Sequence, residues 1–365
     1  MDYMEQALSL AKLALGHASP NPAVGAVVVK GGEVVGQGYT QPPGSHHAEV
    51  LALKQAGREA EGGTMYVTLE PCAHQGRTPP CTGAIISAGV SEVHMAMLDP
   101  NPIVLGRGQE ELKKKAGIKT ALGEHEAEAR EVNEAYIKFI TTGLPFVTAK
   151  FAMSLDGKIA TKTGDSRWIS GIESRKFVHF LRYTSDAIMA GVNTLLADNP
   201  HLTTRCSGGK GGRARKQPLR VIVDGNGRTP LDSKIFKEPG KTLLALGQKL
   251  GPKERAAFTD AGAEVLEPST PDEVVDLEKL LKDLGKMEIT SVMGEGGGIL
   301  LGSLFDRGLV DKVIAFIAPI IIGGAEAKAA VAGEGVSKVA ESFHLERVKM
   351  GRLGDDLVVS GYVAK

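Results

Sequence analysis

Cysteine is scarce in this chain, with three residues in 365. That is too few for a disulfide framework, so the thiols are read as metal ligands, nucleophiles or plain core residues. Neither sign of charge is in excess: 43 basic residues face 43 acidic ones, and the chain as a whole lacks the basic footprint of a nucleic-acid binder. Small molecules are the expected partners. Long apolar runs are also missing. The most apolar stretch, Val313 to Ile322, is about half a membrane span, so no membrane partner is expected. The opening Met1-Asp-Tyr-Met-Glu is acidic and has neither the basic nor the apolar region of a secretory signal. A cytoplasmic protein is the expectation. What is present is the composition of a globular protein, 42% apolar and 24% charged, at a length that suits two domains better than one.

No repeat of fixed period runs along the chain, but strand and helix patterns alternate. Tyr3 to Leu15 has helical spacing, and Val24 to Lys30 with Glu33 to Tyr39 reads as a hairpin across Gly31-Gly32. Helices are expected at Ala48 to Gly57, Thr82 to Gly89 and Gln109 to Ala116. Strands are expected at Thr64 to Leu69, Glu92 to Leu98 and Ile118 to Ala121. One long helix, Glu124 to Ile140, stops at Thr141-Thr142-Gly143-Leu144-Pro145, which places a boundary between domains 1–143 and 144–365. Beyond it come strands at Phe146 to Ala152, Ala187 to Gly191, Leu219 to Asp224, Thr242 to Leu246, Glu264 to Leu266, Ile289 to Met293 and Lys312 to Ile322. Helices are read at Ser174 to Thr184, Pro271 to Leu284 and Ile299 to Leu304. The class is α/β in both halves. Met1 to Gly143 holds 12 basic and 16 acidic residues, which leaves the second half slightly positive, as a phosphate-bearing ligand would favour.

Two of the cysteines lie in "LEPCAHQGRTPPC", Leu69 to Cys81, and upstream stands "SHHAEVLALK". His47, Ala48 and Glu49 spell the His-x-Glu of zinc deaminases, and Pro71-Cys72 and Cys81 supply two thiolates. Three such ligands leave one tetrahedral position of Zn²⁺ open to water and bring the water's pKa to roughly 7. Glu49, two residues past a ligand at a helix start, can move the proton without binding the metal. Cys81 follows Pro79-Pro80 at a helix start, where the dipole favours thiolate. Each residue alone would be unremarkable, but the combination points to zinc, with adjacent His46 outside the set.

The gap of eight residues between the cysteines departs from the Pro-Cys-x-x-Cys of the plain deaminase signature. With that spacing, "ASPNPAVGAVVV", "HHAEVLAL", "YVTLEPCAHQGRTPPC" and "LDPNP" together resemble the N-terminal half of the bifunctional riboflavin-biosynthesis deaminase/reductase family. The resemblance implies a cytidine-deaminase-like three-layer α/β/α domain acting on a phosphoribosylamino-diaminopyrimidinone. It implies that Asn21 orients substrate, that His74 and Arg77 approach the ribose phosphate, and that Asp99 and Asn101 border the pocket. Read from the residues alone, Asp99 and Asn101 serve equally well as turn formers.

In the second half, "GEGGG", Gly294 to Gly298, follows a strand and precedes a helix without matching G-x-G-x-x-G. The arrangement suits either a phosphate or a simple turn. Trp168 reads locally as core, and Lys150 as a strand-end surface residue or a pocket residue. "SGGKGGRARK", Ser207 to Lys216, reads as a surface loop or a phosphate clamp. "KFAMSLDGKIATKTGDSRWIS", "LRYTSDAIMAGVNTLLADNPHLTTR", "LRVIVDGNGRTP" and "LVDKVIAFIAPIIIGG" resemble the reductase half of the same family. Asn199 stands where the family often has a second Asp. The resemblance implies a dihydrofolate-reductase-like α/β domain with NADPH as hydride donor. NADPH would be bound by Ala152, Trp168, Thr194, Asp198, Gly225, Gly297, Gly298, Ile299, Leu300, Leu301, Gly302 and Ser303. Substrate would meet Ser166, Arg182, Leu202, Arg205 and Glu295, the arginines suiting its 5′-phosphate. A homo-oligomer is the expected assembly. Two rivals stand beside this reading: a cytidine or tRNA deaminase fused to a folate-type reductase, and a binding protein with a degenerate pocket.

Overall fold

The Gly31-Gly32 turn closes the expected hairpin in the computed structural model, which describes residues 2–75, 79–205, 216–268 and 274–364. The chain divides into two units, Met1–Leu144 and Pro145–Lys365. In the first, β1 (Gly25–Lys30) runs antiparallel to both β2 (Glu33–Tyr39) and β3 (Thr64–Val67). β4 (Glu92–Met95) and β5 (Lys119–Leu122) continue parallel to β3, giving the order β2-β1-β3-β4-β5.

Helix α1 (Tyr3–Ala14) buries Met4, Ala7, Leu8 and Ala11, the stripe that a 3.6-residue period places on one face. It lies so close to the sheet that a Cβ on Gly25 would stand 1.9 Å from the Ala7 carbonyl oxygen. Helix α2 (Ala48–Ala56) meets the other face, where a Cβ on Gly36 would stand 2.1 Å from the Ala52 oxygen. Side chains alternate across a strand, and the register pairs Gly36 with Val28, three positions from Gly25. Helices therefore cover both faces, as the three-layer expectation requires. Three further helices, α3 (Cys81–Ser87), α4 (Arg107–Ala116) and α5 (Glu126–Val132), precede α6 (Glu134–Thr142).

The long helix expected at Glu124 to Ile140 is thus two. The break falls at Asn133, 2% exposed, whose side chain accepts from the Ala23 N–H at 2.8 Å and donates to the Ala23 and Ala129 carbonyls. A side-chain amide that satisfies neighbouring backbone groups competes with the helical ladder, and here it ties the helix pair to the segment entering β1.

The second unit contains, in chain order, β6 (Phe146–Ser154), β7 (Lys158–Ala160), α7 (Ile172–Thr184), β8 (Ala187–Gly191), α8 (Val192–Asp198), β9 (Leu219–Asp224) and β10 (Thr242–Leu246). Then come α9 (Pro252–Asp260), β11 (Ala263–Leu266), α10 (Leu277–Lys286), β12 (Ser291–Glu295), α11 (Gly298–Asp306), β13 (Lys312–Ala318), β14 (Lys328–Ala329), β15 (Leu345–Leu353) and β16 (Asp356–Val363). Nine of the strands form one sheet in the order β11-β10-β9-β8-β12-β6-β13-β16-β15. It is parallel from β11 to β13, and β16 and β15 close it antiparallel. Parallel strands covered on both faces carry continuous apolar runs, as in β8, where Ala187, Ile188, Met189 and Ala190 are all fully buried.

Helix α10 starts at Leu277, later than expected, because Asp276 caps it by accepting from the Lys279 N–H; Pro271 lies outside the described residues. It buries Leu277, Leu280, Leu281 and Leu284, each leucine contributing about 1.5–3 kcal/mol. The strand expected from Lys312 to Ile322 stops at Ala318, since Pro319 cannot donate to a ladder. That expected at Ile289 begins two residues later, at Ser291.

Packing is tightest where α11 meets the segment after β14. A Cβ on Gly302 would stand 1.8 Å from the Ala332 carbonyl oxygen and 2.3 Å from its carbon, backbone atoms that cannot swing away. Gly302→Ala is therefore expected to destabilise the reductase unit by about 1–3 kcal/mol, the usual range for overpacking. Thermal unfolding of the purified variant tests this, and an unchanged midpoint would mean that helix and loop can separate freely.

Candidate active sites

In the first unit the metal-ligating side chains come from two helix starts and the loop between them. His47 caps α2, Glu49 lies in its first turn, and Cys81 opens α3. Cys72 follows the loop that leaves the carboxyl end of β3. The Cys81 and Cys72 sulfurs stand 3.2 and 3.7 Å from His47 Nδ1, and all three ligand atoms fall within 4.8 Å of one another. Two ligands of one tetrahedral zinc, bound at about 2.0–2.3 Å, stand about 3.5 Å apart, so the donor set fits the ion. His46 turns away, its Nε2 2.6 Å from Lys54 Nζ.

The two sulfurs are coupled through a shared hydrogen bond. A hydrogen bond from the Cys81 thiol, and beyond it one with His47, pull the Cys72 thiol well below its ordinary range against the opposing effect of burial. The Cys81 backbone N–H also donates to Cys72 Sγ at 3.4 Å, as helix-start amides do for thiolates. The same shared proton raises Cys81, with burial adding to the effect. Glu49 is 4% exposed, and burial pushes its carboxyl up.

The described residues among the others expected at this site lie at or near the carboxyl ends of the parallel strands. Asn21 lies in the segment entering β1, and antiparallel pairing brings that segment to the carboxyl end of β3, where the Thr68 N–H donates to the Gly25 carbonyl at 3.0 Å. His74 has a buried Nδ1 without a hydrogen-bond partner among the described residues, as a group awaiting a ligand would. Arg77 lies outside the described residues. Asp99 accepts from the Asn101 N–H and from the Tyr136 hydroxyl, both at 2.9 Å, and Asn101 accepts from the Ile103 N–H. Their turn role is therefore real, and Asp99 is additionally held by a buried tyrosine.

In the second unit the expected residues gather at the carboxyl ends of the parallel strands, where α/β sheets bind ligands. Gly296 and Gly297 have φ of +80° and +75°, which favours glycine. A Cβ on Gly297 would stand 2.9 Å from Thr194 Oγ1. The gap between β12 and α8 admits only bare backbone at the start of α11, and a glycine-lined cradle of this kind at a helix start fits a dinucleotide's phosphates. Ala152 lies on the adjacent strand β6, Asp198 ends α8, and Gly225 follows β9. Ser166 Oγ donates to Asp198 Oδ1 at 3.1 Å. Within α11, Leu300, Leu301 and Gly302 are buried, so they position the helix instead of facing solvent. Ile299 is 63% exposed, and Ser303 is half-buried.

Trp168 is not core: it is 70% exposed, with the Arg175 guanidinium over its ring at 4.6 Å. A large apolar ring left open suits a cofactor contact better than packing.

Beside the cradle lies a buried charge cluster. Arg182 donates from Nε and Nη2 to the two oxygens of Glu295 at 2.9 and 2.6 Å, and from Nη1 to the Thr203 carbonyl at 3.0 Å. Lys150 Nζ stands 3.6 Å from Glu295. The surface reading of Lys150 is wrong, since the residue is 9% exposed. Burial alone would raise Glu295, but the two cations hold its carboxyl at about 2, while burial lowers Lys150. His179 joins the cluster through Nδ1, 3.2 Å from the Thr203 carbonyl. Leu202 is buried at φ +49°, and Arg205 is exposed. Much of the Arg182 fork is thus engaged within the protein, leaving Arg205 freer to meet a phosphate. The pocket alternative for Lys150 is the one its burial favours; His179 escaped the sequence reading.

Comparison with known proteins agrees with this division. Residues 1–97 match the family described as cytidine and deoxycytidylate deaminase zinc-binding region, and residues 145–359 match the RibD C-terminal domain. Over 358 residues the chain is 44% identical to the riboflavin biosynthesis protein RibD of Aquifex aeolicus, covering 98% of this chain and 97% of that protein. A solved structure of Acinetobacter baumannii RibD is 36% identical and superposes with a TM-score of 0.88 over 100% of this chain and 98% of its own. A diaminohydroxyphosphoribosylaminopyrimidine deaminase/5-amino-6-(5-phosphoribosylamino)uracil reductase from Thermotoga maritima is 32% identical, with a TM-score of 0.85 over 99% of this chain and 98% of its own.

Proposed function

Because this chain belongs to the RibD family of bifunctional riboflavin-biosynthesis deaminase/reductases, we propose that it converts 2,5-diamino-6-(5-phosphoribosylamino)pyrimidin-4(3H)-one to 5-amino-6-(5-phosphoribitylamino)uracil. Residues 1–143 carry the first step and 144–365 the second, a boundary supported by Gly143, which ends α6 at φ +73° ahead of Pro145. The observation that carries the reading is the His47, Cys72 and Cys81 set within 4.8 Å beside a buried Glu49.

Zinc bound by His47, Cys72 and Cys81 supplies Lewis acidity that makes water a nucleophile near neutral pH. Glu49 takes one proton from the attacking water and delivers it to the ring nitrogen, then carries the remaining hydroxyl proton to the departing amine. Water's oxygen replaces the 2-amino group, and ammonia leaves. Asn21 orients the pyrimidine, His74 and Arg77 approach its ribose phosphate, and Asp99 and Asn101 border the pocket.

NADPH, the reductant of the second domain, would supply hydride to C1′ of the ring-opened ribosyl group, which with one proton from water becomes the ribityl side chain. Ala152, Trp168, Thr194, Asp198, Gly225 and the Gly297 to Ser303 segment hold the cofactor. Ser166, Arg182, Leu202, Arg205 and Glu295 hold the substrate. Two cations share one carboxylate in the buried cluster, and that positive excess favours a phosphorylated substrate. The protein's part is to place C1′ against the nicotinamide.

Among the described residues no helix is long and apolar enough to cross a membrane. A cytoplasmic location and a homo-oligomeric state belong to the same proposal. Val348, Met350 and Leu357, exposed on the β15–β16 hairpin, support the latter.

The purified full-length protein, given the diaminopyrimidinone phosphate and NADPH, is expected to release ammonia and then oxidise NADPH in equal amounts. Absence of ammonia would sink the first half of the proposal; ammonia without NADPH oxidation would sink the second.

A further inference from the structure

We propose that Arg228 reads the 2′-phosphate that distinguishes NADPH from NADH, with Asn193 steadying its guanidinium. The proposal rests on NADPH lying across the Thr194 and Gly297 edge. Sheet order then fixes the cofactor's direction. The cradle sits between β8 and β12, and the Lys150, Glu295 and Arg182 cluster lies on β6, β12 and α7. The nicotinamide must face that cluster, so the adenosine half extends the other way, over β9 toward β10. From β6 to β9 is three strand steps, about 14 Å at the usual spacing, a span that an extended dinucleotide covers.

At that end the chain leaves β9 in a turn built to be rigid. Fully buried Asp224 accepts from both the N–H and the hydroxyl of Thr229 at 2.7 Å, and the Gly225 carbonyl accepts from the Gly247 N–H at 3.0 Å. Arg228 is carried on this clamped turn and is exposed. Its Nη2 donates to Asn193 Oδ1 at 3.1 Å, which brings it beside Thr194. A guanidinium carries five donors in a planar fork, a shape matched to bidentate contact with phosphate. Arg167 is the competing guanidinium. It donates from Nη2 to the Asp198 carbonyl at 2.6 Å and so sits at the far end of α8, next to Trp168.

Calorimetric titration of the full-length protein with NADPH and with NADH tests the assignment. Arg228→Gln is expected to weaken NADPH binding by roughly tenfold to a hundredfold, the value of hydrogen bonds to a charged group, and to leave NADH unchanged. It should likewise weaken adenosine 2′-phosphate while sparing adenosine 5′-phosphate. Arg228→Lys should retain part of the preference, and Asn193→Ala should lose a smaller part of it. Equal weakening of both dinucleotides, no weakening, or a selective loss in Arg167→Gln would overturn the proposal. Gly297→Val separates this failure from failure of the cofactor placement. Should it leave both affinities intact, the placement is wrong. Should it weaken both while Arg228→Gln is unselective, only the Arg228 assignment falls.

Discussion

Glu49→Gln is expected to lower the rate of ammonia release by about a hundredfold to ten-thousandfold, the usual contribution of a positioned acid–base group. It should leave bound zinc and the reduction of already deaminated pyrimidine unchanged. Three features make the effect specific. Glu49 stands in the first turn of α2, two residues after His47, so its side chain enters the site without belonging to the ligand set. It is 4% exposed, and glutamine has nearly its volume, so packing survives. Glutamine cannot accept and return a proton, and that is the function removed. Metal content, ammonia release, and NADPH oxidation on pre-deaminated substrate together check the prediction. Loss of zinc in parallel with activity would make Glu49 a structural residue. Loss of both catalytic steps would contradict two independent sites.

The metal site was legible in the sequence because its chemistry leaves few options: a ligand, a proton carrier two residues on, and sulfurs at or near a helix start. The fold was legible wherever burial imposes a period. Strands β8, β9 and β10 were read to the residue from their concentration of apolar residues. Elements without such a contrast were missed. β15 is exposed along nearly its whole length, so "LERVKMGRL" has no inward face to mark it as a strand. The break at Asn133 depends on the Ala23 backbone, 110 residues away, and no local window contains that partner. The local reading of Trp168 as core failed for a related reason: a tryptophan is usually buried, and only the fold leaves this one open. Gly302 appeared in the cofactor segment by resemblance, whereas its contact with Ala332 gives it a packing role.

Glu295→Ala is expected to destabilise the reductase unit by about 3–5 kcal/mol, because breaking a buried ion pair from one side strands the remaining charge. Here it strands two, since Arg182 and Lys150 both lean on the same carboxylate at 2.6 and 3.6 Å. The wild-type cluster carries a pH signature. With the folded carboxyl at about 2 and its ordinary value 4.5, the stabilisation is complete above 4.5 and is lost as pH falls through about 2. Urea unfolding of the wild type should therefore weaken steeply across that window, and the Glu295→Ala variant should lack this component. Replacing the whole cluster differs from cutting it. Glu295→Leu combined with Arg182→Met and Lys150→Met removes every charge, and well-packed apolar replacements of buried pairs are often neutral. The triple variant should recover much of the lost stability while its reductase activity stays low, because it has lost the groups proposed to meet the substrate. If the single alanine variant unfolds at the wild-type urea concentration, the cluster is hydrated enough to tolerate unpaired cations. Its arginine and lysine would then be held by water as much as by Glu295.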